Sequence, residues 1–183
     1  MLSKLSYGSM PPAATLSDRA ISMTTMSKSY GLPGIRIGWI AGPMGMVESV
    51  RAVREQLTIC NSVIGEAIAF AALKQRDVLL NKSRERLRRN LKALNYWMAH
   101  QDMLESVEPE GGVVAFPRLK RDASTEPICR TLATKYRTFA IPGYGFETDR
   151  HLRIGFGEET DELSEGLKRL KQTLDEYAPK LRS

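Results

Sequence analysis

The stretch from Ile21 to Pro43 reads ISMTTMSKSYGLPGIRIGWIAGP. Apolar residues that suit β-structure flank a central segment that is rich in hydroxyl groups and is punctuated by glycine and proline. This order predicts two short apolar strands, over residues 20–26 and 35–41, joined by a turn. The chemistry expected of the chain depends mainly on the polar side chains in and around that turn.

Lys28 lies in this turn, and the pattern places it at the end of a buried strand. Burial disfavours the charged form of an amine and lowers its pKa, which is what a Schiff-base lysine requires. The hydroxyls of Thr25 and Ser27 precede Lys28, Arg36 follows it, and groups of this kind bind phosphate. Together these residues predict a site for a phosphorylated aldehyde cofactor, pyridoxal 5′-phosphate (PLP).

The spacing Thr25-x-Ser27-Lys28-x-x-Gly31-x-x-Gly34-x-Arg36-x-Gly38-Trp39 resembles the lysine motif of the class I/II aminotransferases, PLP enzymes of fold type I. Two later segments resemble further landmarks of that family, in the family's order. The first is Pro109-x-Gly111-Gly112-x-x-Ala115-Phe116-Pro117, and the second is Pro142-Gly143 followed by His151-Leu152-Arg153-Ile154-Gly155. A surface lysine in an ordinary turn would explain neither the first spacing nor the later landmarks.

The resemblance implies a role for each matching residue. Lys28 would bond to the cofactor and then move a proton between the substrate α-carbon and the cofactor. Arg36 would bind the cofactor phosphate together with Thr25, which stands where the family usually has serine, and more weakly with Ser27. Arg153 would hold the substrate carboxylate through two charge-assisted hydrogen bonds, and its alternative role is a structural ion pair on a strand.

Asn61 lies in a polar break, residues 58–62, between two predicted helices. The corresponding region of the family lies near the active site and the subunit interface, so Asn61 is a candidate substrate-binding residue. The alternative role for this asparagine is to cap the helix that follows it.

The fold implied by the resemblance is α/β. Residues 1–90 would be the C-terminal part of the large mixed-sheet, PLP-binding domain of a fold type I enzyme, and residues 91–183 would be its small C-terminal α+β domain. Hydrophobic periodicity predicts helices over 44–57, 65–73 (well buried), 77–101, 125–136 and 161–177. Strands are expected over 113–116, 138–141 and 151–156.

The chain has 183 residues, and full members of the resembled family are considerably longer, with the PLP lysine past their middle. Because that lysine is Lys28 here, the resemblance implies a C-terminal fragment that is inactive alone. Three elements of the family's site would lie outside this fragment. They are the loop that surrounds the cofactor phosphate, the aromatic ring stacked on the cofactor, and the aspartate that pairs with the pyridine nitrogen.

The composition, 42% hydrophobic and 26% charged, is ordinary for a globular protein. No recognised nucleic-acid motif accompanies the net charge of +6, so no nucleic-acid partner is expected. Without an apolar run long enough for a membrane or a signal-peptide pattern, a cytoplasmic location is expected. Cys60 and Cys129 are expected to be buried thiols, and no residues have metal-ligand spacing.

The resemblance therefore implies a PLP-dependent aminotransferase of amino-acid metabolism, in a biosynthetic process, that uses an amino acid and a 2-oxo acid and is a homodimer when complete. The same motif also serves lyases, decarboxylases and cyclising synthases, so it indicates the cofactor better than the reaction. A non-enzymatic alternative is a truncated copy that acts as a dimerising or binding domain.

Overall fold

A computed structural model of the chain describes residues 11–179. The helices in this range are α1 (Met44–Leu57), α2 (Val63–Lys74), α3 (Arg76–Ala99), α4 (Glu126–Tyr136) and α5 (Thr160–Tyr177). The strands are β1 (Ser22–Thr25), β2 (Gly38–Ala41), β3 (Leu104–Glu105), β4 (Val114–Ala115), β5 (Arg118–Leu119), β6 (Ile141–Pro142) and β7 (Leu152–Gly155). Short 3₁₀ helices lie at Ala13–Thr15, Pro33–Ile35 and Gly143–Phe146.

The chain divides into two compact units inside α3, one ending at Arg84 and one beginning at Glu85. The predicted domains, 1–90 and 91–183, include residues 1–10 and 180–183, which lie outside the described residues. The identification of these domains with the large and small domains of a fold type I enzyme stays a prediction.

The first unit is built on an antiparallel hairpin in which β1 pairs with β2, from Ser22 opposite Ala41 to Thr25 opposite Gly38. Gly38 allows β2 to lie close to β1, because a Cβ atom at this position would lie only 2.7 Å from the carbonyl oxygen of Thr24. The second strand begins three residues later than predicted. Residues 33–35 form a 3₁₀ helix, and Arg36 then takes a left-handed conformation with φ of 57° that no strand allows.

Helix α1 has the predicted bounds, whereas the predicted burial of α2 is wrong. Of the α2 residues only Gly65 and Ala69 are buried, and Ile64 and Phe70 are 74% and 62% exposed. The reason is geometric, since a two-stranded hairpin with 3₁₀ turns presents too little apolar surface to cover a helix that is apolar on every side.

The core of the second unit is formed by α3, α4, α5 and the antiparallel sheet β4–β7–β6. The predicted apolar stripe of α5 is buried in full and consists of Leu163, Leu167, Leu170 and Leu174. Each such leucine contributes about 1.5–3 kcal/mol relative to an exposed position. Ile128 and Leu132 of α4 and Leu152, Ile154 and Phe156 of the β7 segment complete this core.

Strands β4 and β7 lie within the predicted ranges 113–116 and 151–156, whereas β6 begins at Ile141 and not at Thr138. The backbone N–H of Thr138 donates to the carbonyl of Leu132, so this segment still terminates α4. The antiparallel pair of β3 and β5 was not expected, because two residues are too few to show periodicity.

Asn90 is a fully buried polar side chain that joins α3 to the segment between β7 and α5. Its amide nitrogen donates to the carbonyls of Phe156 (2.9 Å) and Glu158 (2.8 Å). Its amide oxygen accepts from the hydroxyl of Thr160 at 2.8 Å. The one side chain thereby satisfies backbone groups where β7 ends and a hydroxyl where α5 begins.

We expect Asn90→Leu to lower the free energy of unfolding by about 2–4 kcal/mol, because it keeps the volume but leaves the buried carbonyl of Phe156 and the part-buried carbonyl of Glu158 without this donor. Denaturant titration followed by circular dichroism measures the change. The matched control is Asn81→Leu, at an exposed position of the same helix, which should change stability by less than about 0.5 kcal/mol. Equal effects of the two substitutions would contradict this role for Asn90.

Candidate functional site

Residues 26–37 form the loop that joins β1 to β2, and both Lys28 and Arg36 lie in it. Met26, which is fully buried, closes the loop at its base. Its N–H donates to the carbonyl of Ile37 at 2.9 Å, and its carbonyl accepts from the N–H of Leu32 at 3.0 Å. Lys28 and Arg36 are therefore held at the same end of the hairpin.

Lys28 lies in the turn formed by residues 26–30 and is exposed, so the expectation of a lysine at the end of a buried strand is wrong. Strand β1 ends at Thr25, and Met26 takes the buried position that the pattern assigned to the strand. The turn closes through a hydrogen bond from the N–H of Gly31, whose φ is 68°, to the carbonyl of Lys28. Within residues 11–179 the amine has no carboxylate partner.

Thr25 and Ser27 lie directly before Lys28, where β1 becomes the turn. The hydroxyl of Thr25 accepts a hydrogen bond from the N–H of Ser27 at 3.2 Å, an interaction that shapes the start of the turn. This contact uses the hydroxyl as an acceptor and leaves its proton for a further partner. Tyr30, also in the turn, packs against Trp39 of β2, with ring centroids 6.4 Å apart.

Arg36 is exposed and donates from one guanidinium nitrogen to the carbonyl of Pro33 at 3.0 Å. A guanidinium has five N–H groups, so most of its donors remain for another ligand. Arg36 lines a cleft of about 380 Å³ with Asn61 and the first turn of α2. The cleft depends on Gly65, where a Cβ atom would lie 2.7 Å from the carbonyl oxygen of Ile35.

Asn61 thus shares a cleft with Arg36. The helix-capping role suggested for Asn61 is wrong. Ser62 caps α2, its hydroxyl accepting from the N–H of Gly65 at 3.2 Å. The amide of Asn61 donates to the carboxylate of Glu66 at 3.0 Å and so is tied to the outer face of α2.

The two cysteines differ, and the expectation of burial is wrong for Cys60, which is exposed on the wall of the same cleft. Cys129 is buried in α4 as expected, and its burial raises the pKa of the thiol to about 11. Only Cys129 is therefore a packing residue.

Arg153 lies on β7 opposite Ile141 of β6 and is partly buried. No carboxylate among the described residues pairs with it, so the structural ion-pair alternative has no partner there. Its guanidinium carbon lies 6.0 Å from the centroid of the Phe146 ring. Sequence reasoning missed this aromatic neighbour, although Phe146 follows the quoted Pro142-Gly143 landmark by three residues.

The expected residues fall in both units. Lys28, Thr25, Ser27, Arg36 and Asn61 belong to the first, and Arg153 belongs to the second. Within residues 11–179 no cluster of histidine, cysteine, aspartate and glutamate could hold a metal ion. In the same range no helix is both long enough and apolar enough to cross a membrane.

Comparison with known proteins identifies the class. The model of the family described as aminotransferase class I and II matches residues 3–170. The chain belongs to this family, and its mixed α/β architecture corresponds to the C-terminal portion of a fold type I enzyme.

Three relatives show how far the similarity extends. Capreomycidine synthase of Streptomyces vinaceus is 33% identical over 172 residues, covering 92% of this chain and 44% of that protein. A PLP-dependent aminotransferase from Streptococcus suis superposes with a TM-score of 0.84 at 31% identity, over 87% of this chain and 43% of that one. The PLP-dependent cyclase OrfR superposes with a TM-score of 0.80 at 32% identity, over 86% of this chain and 44% of that one. The chain thus spans less than half the length of these proteins.

PLP is the cofactor of this family, and the residues of the 26–37 loop fit it chemically. The loop offers a primary amine for an aldehyde and a guanidinium for a phosphate, with the hydroxyls of Thr25 and Ser27 at its start. Neither cation of the loop is neutralised by a carboxylate in residues 11–179. This set of groups suits an anionic aldehyde.

Proposed function

We propose that this chain carries the cofactor-bonding and carboxylate-binding residues of a PLP-dependent aminotransferase-like enzyme that acts on amino acids. The observation that carries the proposal is the position of Lys28 and Arg36, both exposed and without carboxylate partners among the described residues, in one loop closed at Met26. Amino acids and 2-oxo acids are the proposed substrates, and a homodimer in the cytoplasm is the proposed form.

In this proposal each residue has a defined task. Lys28 would hold the cofactor through its amine, and the same amine would move a proton at the substrate α-carbon. Arg36 binds the phosphate with the Thr25 hydroxyl, and Ser27 contributes less. Arg153 binds the substrate carboxylate in the plane of its guanidinium. The cofactor, when bound, supplies the electron sink.

Asn61 is proposed as a residue at the edge of this site. It shares the cleft with Arg36, and its amide oxygen remains for a ligand because the hydrogen bond to Glu66 uses only its nitrogen. Residues 1–90 and 91–183 are proposed to be the large-domain and small-domain parts of the enzyme.

Reduction with borohydride in the presence of PLP tests the role of Lys28. We expect the reduced cofactor on the peptide that contains Lys28, located by mass spectrometry, because this amine lies in the same closed loop as the proposed phosphate-binding residue Arg36. Lys28→Ala should remove the label. Lys74→Ala is the matched control, since Lys74 is an exposed lysine of the same unit whose amine lies 4.4 Å from the Phe70 ring centroid, and it should keep the label. Label on Lys74 in the unaltered chain would contradict the proposal.

Comparison of PLP with pyridoxal, which lacks the phosphate, tests the role of Arg36. Arg36→Ala should weaken PLP binding by at least about tenfold and leave pyridoxal binding unchanged, because a charge-assisted hydrogen bond contributes roughly 1.5–3 kcal/mol. Fluorescence titration measures both affinities. Arg51→Ala, which removes an exposed arginine paired with Glu55, is the control. Equal weakening of both ligands by Arg36→Ala would instead indicate a structural role.

A cyclising synthase is the second candidate, and the similarity to capreomycidine synthase and to the cyclase OrfR favours it. The Streptococcus suis aminotransferase matches at nearly the same identity, so the reaction type has to be measured. In transamination the amino nitrogen passes to the 2-oxo acid, whereas a cyclised product retains it. In a complete enzyme that contains this chain, we expect ¹⁵N from a labelled amino acid to appear in the 2-oxo acid acceptor, as judged by mass spectrometry. Retention of all the label in a product of altered mass would favour the synthase.

The remaining alternatives are a lyase, a decarboxylase and a non-catalytic dimerising or binding domain. A lyase would release a fragment of the substrate side chain, and a decarboxylase would release carbon dioxide. A binding domain would give no product, and it would not need the amine of Lys28. No described contact favours any of these three over the two candidates above.

A further inference from the structure

An aromatic cluster lies beside Arg153 in the second unit and consists of Phe146, Phe116 and His151. The guanidinium of Arg153 lies 6.0 Å from the Phe146 ring centroid. Phe146 meets Phe116 edge to face, with centroids 5.4 Å apart, and Phe116 stacks on the imidazole of His151 at 4.8 Å with an interplanar angle of 20°. Four side chains thus form a continuous row that ends at the cation.

The loop that carries Phe146 is fixed by buried contacts. Thr125 is fully buried at the start of α4, and the carbonyls of Asp149 and His151 share the one proton of its hydroxyl. The N–H of Gly143 donates to the same His151 carbonyl at 2.7 Å. A Cβ atom at Gly143 would lie 2.0 Å from the carbonyl oxygen of Thr148, so only glycine fits there. The position of the Phe146 backbone is therefore set by the core of this unit.

An aromatic neighbour and a carboxylate neighbour have different effects on an arginine. A carboxylate of the protein would occupy the N–H donors in the guanidinium plane, and these are the donors that a substrate carboxylate needs. The face of an aromatic ring attracts the cation through its quadrupole and leaves the edge donors open. Phe146 and Phe116 are 45% and 37% exposed, so the row is accessible at its surface.

We propose that Phe146 is a positioning residue that holds the Arg153 guanidinium for an incoming carboxylate, with Phe116 and His151 supporting the ring from behind. This inference rests on the proposed carboxylate-binding role of Arg153 and extends it to a residue that makes no polar contact with the ligand. Its ring restricts the rotamers of a long side chain before the ligand arrives, so less entropy is lost on binding.

The contact between the Phe146 ring and the Arg153 side chain is tested first without any ligand, by NMR of the full chain. In the unaltered protein the side-chain protons of Arg153 should be shifted upfield by the ring current of Phe146. The shift should persist in Phe146→Tyr, which keeps the ring, and disappear in Phe146→Leu. Random-coil values for these protons in the unaltered protein would overturn the inference without recourse to any variant.

The consequence is tested by titrating the full chain with 3-phenylpropionate, a carboxylate without an amino group. Phe146→Leu should weaken its binding by about two- to fivefold, and Phe146→Tyr should bind as the unaltered protein does. Phe139→Leu replaces an aromatic residue of the same unit that is 82% exposed, and it should have no effect. Equal melting temperatures of the two leucine variants would show that the weaker binding by Phe146→Leu does not result from unfolding.

A further variant separates this inference from the proposed function. Arg153→Ala should abolish specific binding of 3-phenylpropionate. If Arg153→Ala binds as the unaltered protein does, the carboxylate role of Arg153 is wrong. If Arg153→Ala loses binding while Phe146→Leu retains it in full, only the positioning role of Phe146 is wrong.

Discussion

The pairing of β1 with β2, closed by the two backbone hydrogen bonds of Met26, determines where the residues of the proposed site lie in the first unit. A loop of this length would otherwise have many conformations, and its two cations would have no fixed relation. Burial of the Met26 side chain excludes water from these hydrogen bonds, which strengthens them. Lys28 and Arg36 then extend from a closed loop at one end of a hairpin.

The ion pairs of the described residues leave the three cations of the proposed site available. In the second unit Arg118 pairs with Glu105 and Arg86 with Glu159, as is common for surface arginines. Lys28, Arg36 and Arg153 have no such partner within residues 11–179, and these are the cations to which the family resemblance assigns anionic ligands. A cation without a carboxylate partner keeps its N–H donors for an anionic ligand.

Helices with clear periodicity could be predicted from the sequence to within a few residues. The bounds of α1 and the buried stripe of α5 followed directly from the spacing of their apolar residues. Burial was harder to predict than helix bounds, because a pattern shows which residues can pack but not whether another surface exists to cover them. The exposed Ile64 and Phe70 of α2 and the exposed Lys28 are examples of this limit.

Local backbone geometry explains the other differences. The left-handed conformation of Arg36 is rare for a residue other than glycine and has no sequence signal, so a strand was expected there. The contact between Arg153 and Phe146 joins residues on a strand and on a separate 3₁₀ turn, and periodicity within one element cannot reveal it. The lysine motif, in contrast, is a local pattern and could be identified from residue types and spacing alone.

A crystal structure of the protein with PLP tests most directly the proposal that the loop of residues 26–37 binds both the aldehyde and the phosphate of the cofactor. The account predicts continuous density between the Nζ atom of Lys28 and the cofactor, with the phosphate within hydrogen-bonding distance of the Arg36 guanidinium. Density that joins the cofactor to another lysine, or a phosphate bound away from Arg36, would contradict the account.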